Sequence, residues 1–272
     1  MSSRWPRLTC GSSSGRSNAR SSAGAVVPGP YDGAVFWDVH SHVVPSGDDG
    51  AATVDEGLAL CRAARERGTG VLVATPHVWP HLGLSDDREE AIRAAHAEMA
   101  GELVSEGLDL RLGYELTPSV DLLDSDLGRF RLGGLPAVLM ELPFAGPLGL
   151  AERLAEEIEA TGLVPVLAHP ERADAVIERP AIAHRYAERG WLLQVNATSL
   201  LGYHGDEPEE TGWLLLEQGL ASLVASDGHR TTRPPFLDTA HEAAARRVGA
   251  EADPLFDGTA LRELEAQAPA AR

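Results

Sequence analysis

The sequence contains no lysine: all 23 basic residues among its 272 are arginine. Chemistry that needs a lysine amine, such as a Schiff base or a Walker-type phosphate loop, is thereby excluded. Positive charge is scarce as well, since 41 acidic residues leave a net charge of −18. That balance argues against general nucleic-acid binding, which rests on a basic surface. Cysteine is limited to Cys10 and Cys61, too few for a disulfide framework. No apolar run has the length of a signal-peptide core or of a membrane span. A cytoplasmic protein without a membrane partner is the expectation. Nothing in the sequence sets an oligomeric state.

What is present is a 43% apolar fraction, enough for a sizeable core. Residues 1–33 differ from the rest. They set Arg4, Arg7, Arg16 and Arg20 against Asp32 alone, amid Ser, Gly and Pro. This composition predicts a disordered tail ahead of one domain over residues 34–272. From Val35 onward, short apolar runs alternate with longer amphipathic stretches. The runs are Val35–Val39, Val71–Ala74, Leu108–Leu112, Ala137–Leu142, Val164–Ala168, Leu192–Val195 and Ser222–Ala225. Helix-like stretches between them include Val54–Arg67, Asp87–Glu106, Leu150–Thr161 and Pro208–Gln218. Such alternation predicts an α/β fold with a mostly parallel sheet. Seven strands suit a TIM-like barrel, although periodicity alone leaves an open doubly wound sheet as the alternative.

The informative residues follow the strands. After the first come Asp38-Val39-His40-Ser41-His42 and Asp48-Asp49-Gly50, and after the second Thr75-Pro76-His77. The third ends in Gly113-Tyr114-Glu115, and the fourth in Met140-Glu141. The fifth gives His169-Pro170-Glu171-Arg172, the sixth Gln194-Val195-Asn196, and the seventh Asp227-Gly228-His229. In parallel α/β folds these loops open on one face, where sites are built. Side chains two apart on a strand point the same way, so His40 and His42 can grip one ion, and Asp227 with His229 repeats the spacing. Imidazoles with carboxylates and no thiolate suit Mn2+, Fe or Zn2+. The ligands exceed the needs of one ion, which implies two or three.

Taken singly, each element has an ordinary reading. An isolated His-x-His is weak, a strand-end Glu141 is commonly an ion-pair partner, and His169 before proline could cap a helix. Jointly they fall at the same end of successive strands, which favours a metal site. The remaining histidines carry no such pattern: His96, His184 and His241 lie on helix faces, His81 and His204 in loops.

Order and local wording resemble the polymerase and histidinol phosphatase (PHP) superfamily, and within it the manganese-dependent bacterial tyrosine phosphatases of capsule synthesis. The matching segments include Asp38–His42, Thr75–His77, Gly113–Glu115, Glu141–Phe144, His169–Arg172, Gln194–Leu201, Ala225–His229 and Arg233-Pro234-Pro235. The resemblance implies a distorted (β/α)7 TIM-like barrel with a trinuclear site. It assigns His40, His42, Glu115 and Asp227 to one ion, Glu115, Glu141 and His169 to a second, and Asp49, His77 and His229 to a third. Arg172 and Arg233 match phosphate-binding arginines, whose fork suits paired phosphate oxygens. An ion pair with Glu171 or Asp238 is the ordinary alternative for these two. The chain departs from the family pattern at Val78-Trp79, Ala173 and Arg230, positions that border the substrate mouth.

The activity implied is hydrolysis of phosphotyrosine in protein, for instance in a bacterial tyrosine kinase of polysaccharide synthesis. The implied mechanism is direct attack of a metal-bridging hydroxide on phosphorus, with Arg172 and Arg233 on the phosphoryl oxygens and His229 available as an acid. Three rivals stand beside it. One is a phosphatase of a small monoester such as histidinol phosphate. Another is an inactive binding module, which would be expected to have lost ligands. The third is a cysteine phosphatase, for which Cys10…Arg16-Ser17 and Cys61…Arg67 offer the C-x5-R spacing. That chemistry needs a thiol at a strand-to-helix phosphate loop. Cys10 has no strand before it, and Cys61 falls inside an amphipathic helix.

Overall fold

In the computed structural model, which describes residues 35–267, every pairing between strands is parallel. The strands are β1 (Phe36–Ser41), β2 (Thr69–Ala74), β3 (His77–Val78), β4 (Asp109–Leu112), β5 (Glu115–Leu116), β6 (Ala137–Glu141), β7 (Val164–Ala168), β8 (Leu192–Asn196) and β9 (Leu223–Ala225). The α-helices are α1 (Val54–Glu66), α2 (Asp86–Leu103), α3 (Val120–Leu123), α4 (Gly149–Ala160), α5 (Asp174–Glu178), α6 (Ala181–Glu188), α7 (Ala197–Leu200), α8 (Asp206–Glu217), α9 (Asp238–Val248), α10 (Asp253–Phe256) and α11 (Thr259–Gln267). The expected tail, residues 1–33, lies outside the described residues.

The nine strand segments make seven barrel staves. One sheet runs β1-β2-β4 and the other β3-β5-β6-β7-β8-β9. Segments β3 and β5 continue β2 and β4 after two-residue breaks at Thr75-Pro76 and Gly113-Tyr114. Pro76 has no N–H to give the ladder, which favours the first of these breaks. Across the breaks the pairing persists, with Gly113 N–H donating to Ala74 C=O at 2.8 Å and Glu115 N–H to Pro76 C=O at 3.1 Å. The ring closes between β1 and the end of β9. Asp227 N–H donates to His40 C=O (2.9 Å), His42 N–H to Gly228 C=O (2.6 Å), and Ser226 N–H to the Asp38 carboxylate (3.0 Å). The structure is therefore a distorted seven-stave barrel and not an open sheet.

Two apolar layers hold it. The lumen is filled by Val39, Val73, Leu139, Val166, Leu223 and Ala225, and Leu132, Leu135 and Leu261 belong to the same cluster. A larger layer joins the outer faces of the strands to the helices, with Leu58, Cys61, Ile92, Leu154, Ile158 and Trp213 among its members. Strand β1 has a register irregularity between Asp38 and Ser41. A bulge of this kind changes which side of a strand faces inward, as happens next to many sites. Val39 is accordingly a lumen residue, while His40 and His42 both reach the mouth. The 42–51 loop folds tightly back, and Ala51 N–H donates to His42 C=O at 2.9 Å. A Cβ at Gly50 would stand 2.4 Å from that same carbonyl, so no other residue fits there.

If Leu261 closes the lumen, Leu261→Ala should cost about 2–4 kcal/mol of unfolding free energy, as for other fully buried leucines. Urea melts of the two proteins measure this. A cost under ~1 kcal/mol would show that α11 is dispensable to the barrel core.

Candidate metal centre

The barrel mouth gathers the charged residues that the strands deliver. Glu115, at the start of β5, sits at the middle and is wholly buried. Its Oε1 lies 3.0 Å from His169 Nε2. Its Oε2 lies 3.2 Å from His40 Nε2, 3.4 Å from His42 Nε2 and 2.9 Å from His77 Nδ1. Asp227 Oδ1 stands 3.5 Å from the Nε2 atoms of both His40 and His42. Those two nitrogens are 3.2 Å apart.

The donors fall into three overlapping trios, His40–His42–Asp227, His40–Glu115–His169 and His42–His77–His229, each with its ligand atoms within 4.8 Å of one another. The ligand set expected for the first ion is thus in mutual contact. For the second, Glu115 faces His169, while Glu141 stands at the edge and accepts a hydrogen bond from the Thr117 hydroxyl. For the third, the exposed Asp49 carboxylate bridges the pair, its Oδ1 3.5 Å from His77 Nε2 and 3.2 Å from His229 Nε2.

Do these residues fit a cation? Glu115 Oε2 and His77 Nδ1 are buried and lack any hydrogen bond of acceptable geometry, although they are neighbours. A buried polar atom without a partner costs on the order of 1–3 kcal/mol, and a charged one more. Divalent ions among these atoms would satisfy them. The titration behaviour agrees. Burial works against ionised Glu115, but the His40 and His77 charges outweigh it and hold its pKa well below the usual carboxylate range. Burial likewise opposes ionised Asp227, and His40 chiefly overcomes it. For Glu141 burial wins, helped by the charge of Glu115, and its pKa is raised. The site fits hard or borderline divalent cations with oxygen and imidazole ligands.

Behind the donors runs a one-way chain of hydrogen bonds that the sequence reading missed. His40 Nδ1 meets Gln194 Oε1 at 2.8 Å, Gln194 Nε2 donates to Asn196 Oδ1 at 2.9 Å, and Asn196 Nδ2 donates to Asp227 Oδ2 at 2.8 Å. The two amides orient each other, and the chain ends on a carboxylate that can only accept. His40 must then carry a proton on Nδ1, so that in the neutral ring Nε2 is the nitrogen that offers a lone pair toward the mouth. The signal was visible: Gln194-x-Asn196 has the same two-residue spacing as His40-x-His42 at the end of its own strand. The segment stands among the strand-end motifs, and its lack of charge left it without a role there.

His169 and Asp227 are the only non-glycine residues at positive φ among the described residues, at 36° and 51°. Such conformations cost on the order of 1–3 kcal/mol and persist where the surroundings enforce them. His169 follows β7 directly and Asp227 stands two residues after β9, in turns that aim the side chain inward. Burial, and then the charge of His42, lower the pKa of His229. Its Nδ1 faces the Asp227 carbonyl at 2.9 Å.

The two arginines converge on the same carboxylate. Arg172 Nη1 is 3.4 Å from Asp227 Oδ2, and Arg233 Nη2 is 3.5 Å from Oδ1 and 2.8 Å from His229 Nε2. The ordinary alternative for them fails at Glu171, which is wholly buried and accepts from Asn196 N–H (3.1 Å) and the Ser199 hydroxyl (2.6 Å). Asp238 pairs with Arg67 at 2.6 Å. Above the donors opens a cavity of about 680 Å³, lined by Asp49, His77, Glu115, Glu141, His169, Asp227, His229 and both arginines. Its walls are apolar: Trp79 stacked on His77 at 4.3 Å, and Phe144 beneath the Arg172 guanidinium at 4.6 Å, with Pro143, Pro147 and Leu150. Of the other histidines, His81 stacks on Trp79 at this mouth, while His96, His184, His204 and His241 bond to Leu110 C=O, Gln218, Thr198 and Asp253.

Comparison with known proteins agrees with this geometry. The profile of the family "Capsular polysaccharide synthesis, CpsB/CapC" matches residues 36–256. The chain is 31% identical over 204 residues to the tyrosine-protein phosphatase YwqE of Bacillus subtilis (strain 168), covering 73% of this chain and 79% of the relative. It is 27% identical over 234 residues to the tyrosine-protein phosphatase CpsB of Streptococcus agalactiae, covering 80% and 94%. Crystal structures of the metal-dependent tyrosine phosphatases YwqE from Bacillus subtilis and CpsB from Streptococcus pneumoniae supply a match of TM-score 0.76 at 27% identity, over 87% of this chain and all of that one.

Two outcomes test the site. Asn196→Ala removes the hydrogen bond to Asp227 without touching a donor atom, and should weaken metal retention about 10–100-fold by equilibrium dialysis. Undiminished retention would make the amide chain mere packing. Cys61 is buried in α1 and burial pushes its thiol up to about 12, so it is a poor nucleophile. Cys10 lies outside the described residues. The double change Cys10→Ser with Cys61→Ser should leave kcat nearly unchanged, and loss of turnover in a folded protein would revive the thiol mechanism.

Proposed function

The chain belongs to the CpsB/CapC family of capsular polysaccharide synthesis, and from that premise we propose that it is a metal-dependent protein-tyrosine phosphatase. The observation that carries this reading is the two-part cavity, whose charged floor suits a phosphoryl group and whose apolar walls suit an aromatic ring. We assign the nine residues His40, His42, Asp49, His77, Glu115, Glu141, His169, Asp227 and His229 to two or three divalent ions, with Mn2+ as the working metal. Fe or Zn2+ would meet the same donors. When bound, such ions lower the pKa of water from ~15.7 to ~7 and neutralise charge on the phosphoryl oxygens.

The chain's own residues do the rest. Arg172 and Arg233 offer forked donors to the oxygens that the ions leave free. Phe144 under the Arg172 guanidinium limits where that fork can swing. Asp227 lies near both arginines, so floor and fork are set by one residue. The leaving phenolate has a pKa of about 10 and needs less protonation than an alkoxide. The expected acid, His229, is disfavoured in that role, because burial and then the charge of His42 lower its pKa. Trp79, Phe144 and Pro143 exclude water from the ring of the substrate.

The substrate partner proposed is a tyrosine-phosphorylated protein; the family's tie to capsular polysaccharide synthesis motivates a bacterial tyrosine kinase of that process as the candidate. No described helix is long and apolar enough to cross a membrane. We place the action in the cytoplasm and the catalytic unit in residues 34–272, so that a protein beginning at Gly33 should keep its turnover.

Turnover of a phosphotyrosine peptide against histidinol phosphate, with added Mn2+, tests the reading. The peptide should be the better substrate, and chelator should abolish hydrolysis. Preference for histidinol phosphate would move the assignment to the small-monoester branch, and full activity in excess chelator would end the metal mechanism. Arg172→Lys and Arg233→Lys should each cost ~1–3 kcal/mol in kcat/KM, with bound metal unchanged, because lysine keeps the charge and loses the paired donors. Kinetics equal to the parent would return both arginines to surface charge.

A further inference from the structure

Arg88 is absent from the cavity wall, yet it governs part of it. It lies in the first turn of α2, where the cap residue Ser85 accepts its N–H at 3.3 Å. Its guanidinium donates to three main-chain carbonyls: Nε to Ser46 at 2.9 Å, Nη1 to Gly83 at 2.5 Å and Nη2 to His77 at 2.9 Å. Those carbonyls belong to three separate pieces. Ser46 is in the loop that carries Asp49, His77 is a ligand candidate in β3, and Gly83 closes the loop that carries Trp79 and His81.

The other side of His77 is held as well. Its N–H donates to Asp48 Oδ2 at 3.0 Å, while Asp48 Oδ1 accepts from Gly50 N–H at 2.9 Å. The Asp48 side chain is 1% exposed, against 59% for its neighbour Asp49. A closed ring results. It runs from Arg88 to Ser46, along the chain to Asp48, across to His77 N–H, and from His77 C=O back to Arg88. Within it, two residues from separate segments, Asp49 and His77, stand 3.5 Å apart, Oδ1 to Nε2.

We propose that Arg88, with Asp48, is a positioning pair that holds His77 and Asp49 within reach of one divalent cation, though neither member of the pair binds it. The inference rests on the metal reading above. The planar guanidinium is what the task needs, since its donors point along fixed, diverging directions. A lysine ammonium at the same place carries the charge but reaches fewer of the three carbonyls.

The test compares the parent, Arg88→Met, Arg88→Lys and His77→Ala, each loaded with Mn2+, desalted, and assayed for ions per chain by elemental analysis. Arg88→Met should retain fewer ions than the parent and match His77→Ala, and the double variant should lose no more than either alone. The Mn2+ concentration for half-maximal activity of Arg88→Met should rise about tenfold, with kcat recovered at saturating Mn2+, a rescue that general loss of structure does not give. Arg88→Lys should fall between, and it decides the matter if Arg88→Met does not fold. Unchanged ion content and activation, with only a lower melting temperature in chelator, would make Arg88 a plain staple and overturn the proposal. A parent protein that retains no divalent ion would instead remove the metal reading itself.

Discussion

One buried carboxylate organises the molecule. Glu115 has no exposed surface, and its two oxygens reach four imidazoles, two from the β1 stave, one from β3 and one from the turn after β7. An ionised group withdrawn from water is costly unless opposite charge and hydrogen bonds replace the solvent. The surrounding positive charge must therefore arrive from every side at once, which only a closed ring of strands can arrange. In an open sheet β1 and β9 would be opposite edges, and Asp227 and His229 would stand far from His40 and His42.

Closure in turn depends on the seam between β1 and β9. Three main-chain N–H groups donate across it, those of Asp227, Ser226 and His42, and two of those residues are themselves at the mouth. Gly228 stands in the seam because a Cβ there would lie 2.6 Å from Pro235. The left-handed backbone at Asp227 is the local cost of turning its carboxylate inward just past the end of β9. Seam and site are thus the same few residues, and a change that loosens one disturbs the other.

Much of this was legible in the chain. Val164–Ala168 forms β7 as expected, Val54–Arg67 and Leu150–Thr161 lie within a residue of α1 and α4, and the strand-end residues meet at one mouth. Apolar period and turn residues carry that information locally. Three features left no such trace. The breaks that split two staves into β2–β3 and β4–β5 are short, although Pro76 marked one. The β1 bulge changes side-chain parity without altering composition. The bonds from Arg88 to Ser46 and His77 join main-chain atoms 42 and 11 residues away, and a carbonyl looks the same at every position in a sequence.

Charge at the mouth supplies the last step. The nine proposed donors include four carboxylates, Asp49, Glu115, Glu141 and Asp227, set against Arg172 and Arg233. With every carboxylate ionised and the imidazoles neutral, as ligand histidines must be, that floor is negative by two charges. It would repel a phosphate dianion, the more so in a chain of net charge −18. Two divalent ions turn the same floor positive by two, and three ions by four, at contact distance from the substrate. Bound cations are often the largest local charges in a site, and here they would set the sign of the field that a phosphate meets. The rise in the Glu141 pKa has the same origin, since burial and then the neighbouring charge of Glu115 penalise a further negative charge there. Metal binding on this scaffold is therefore a condition for attracting the substrate as well as for activating water, and the two arginines alone do not meet it.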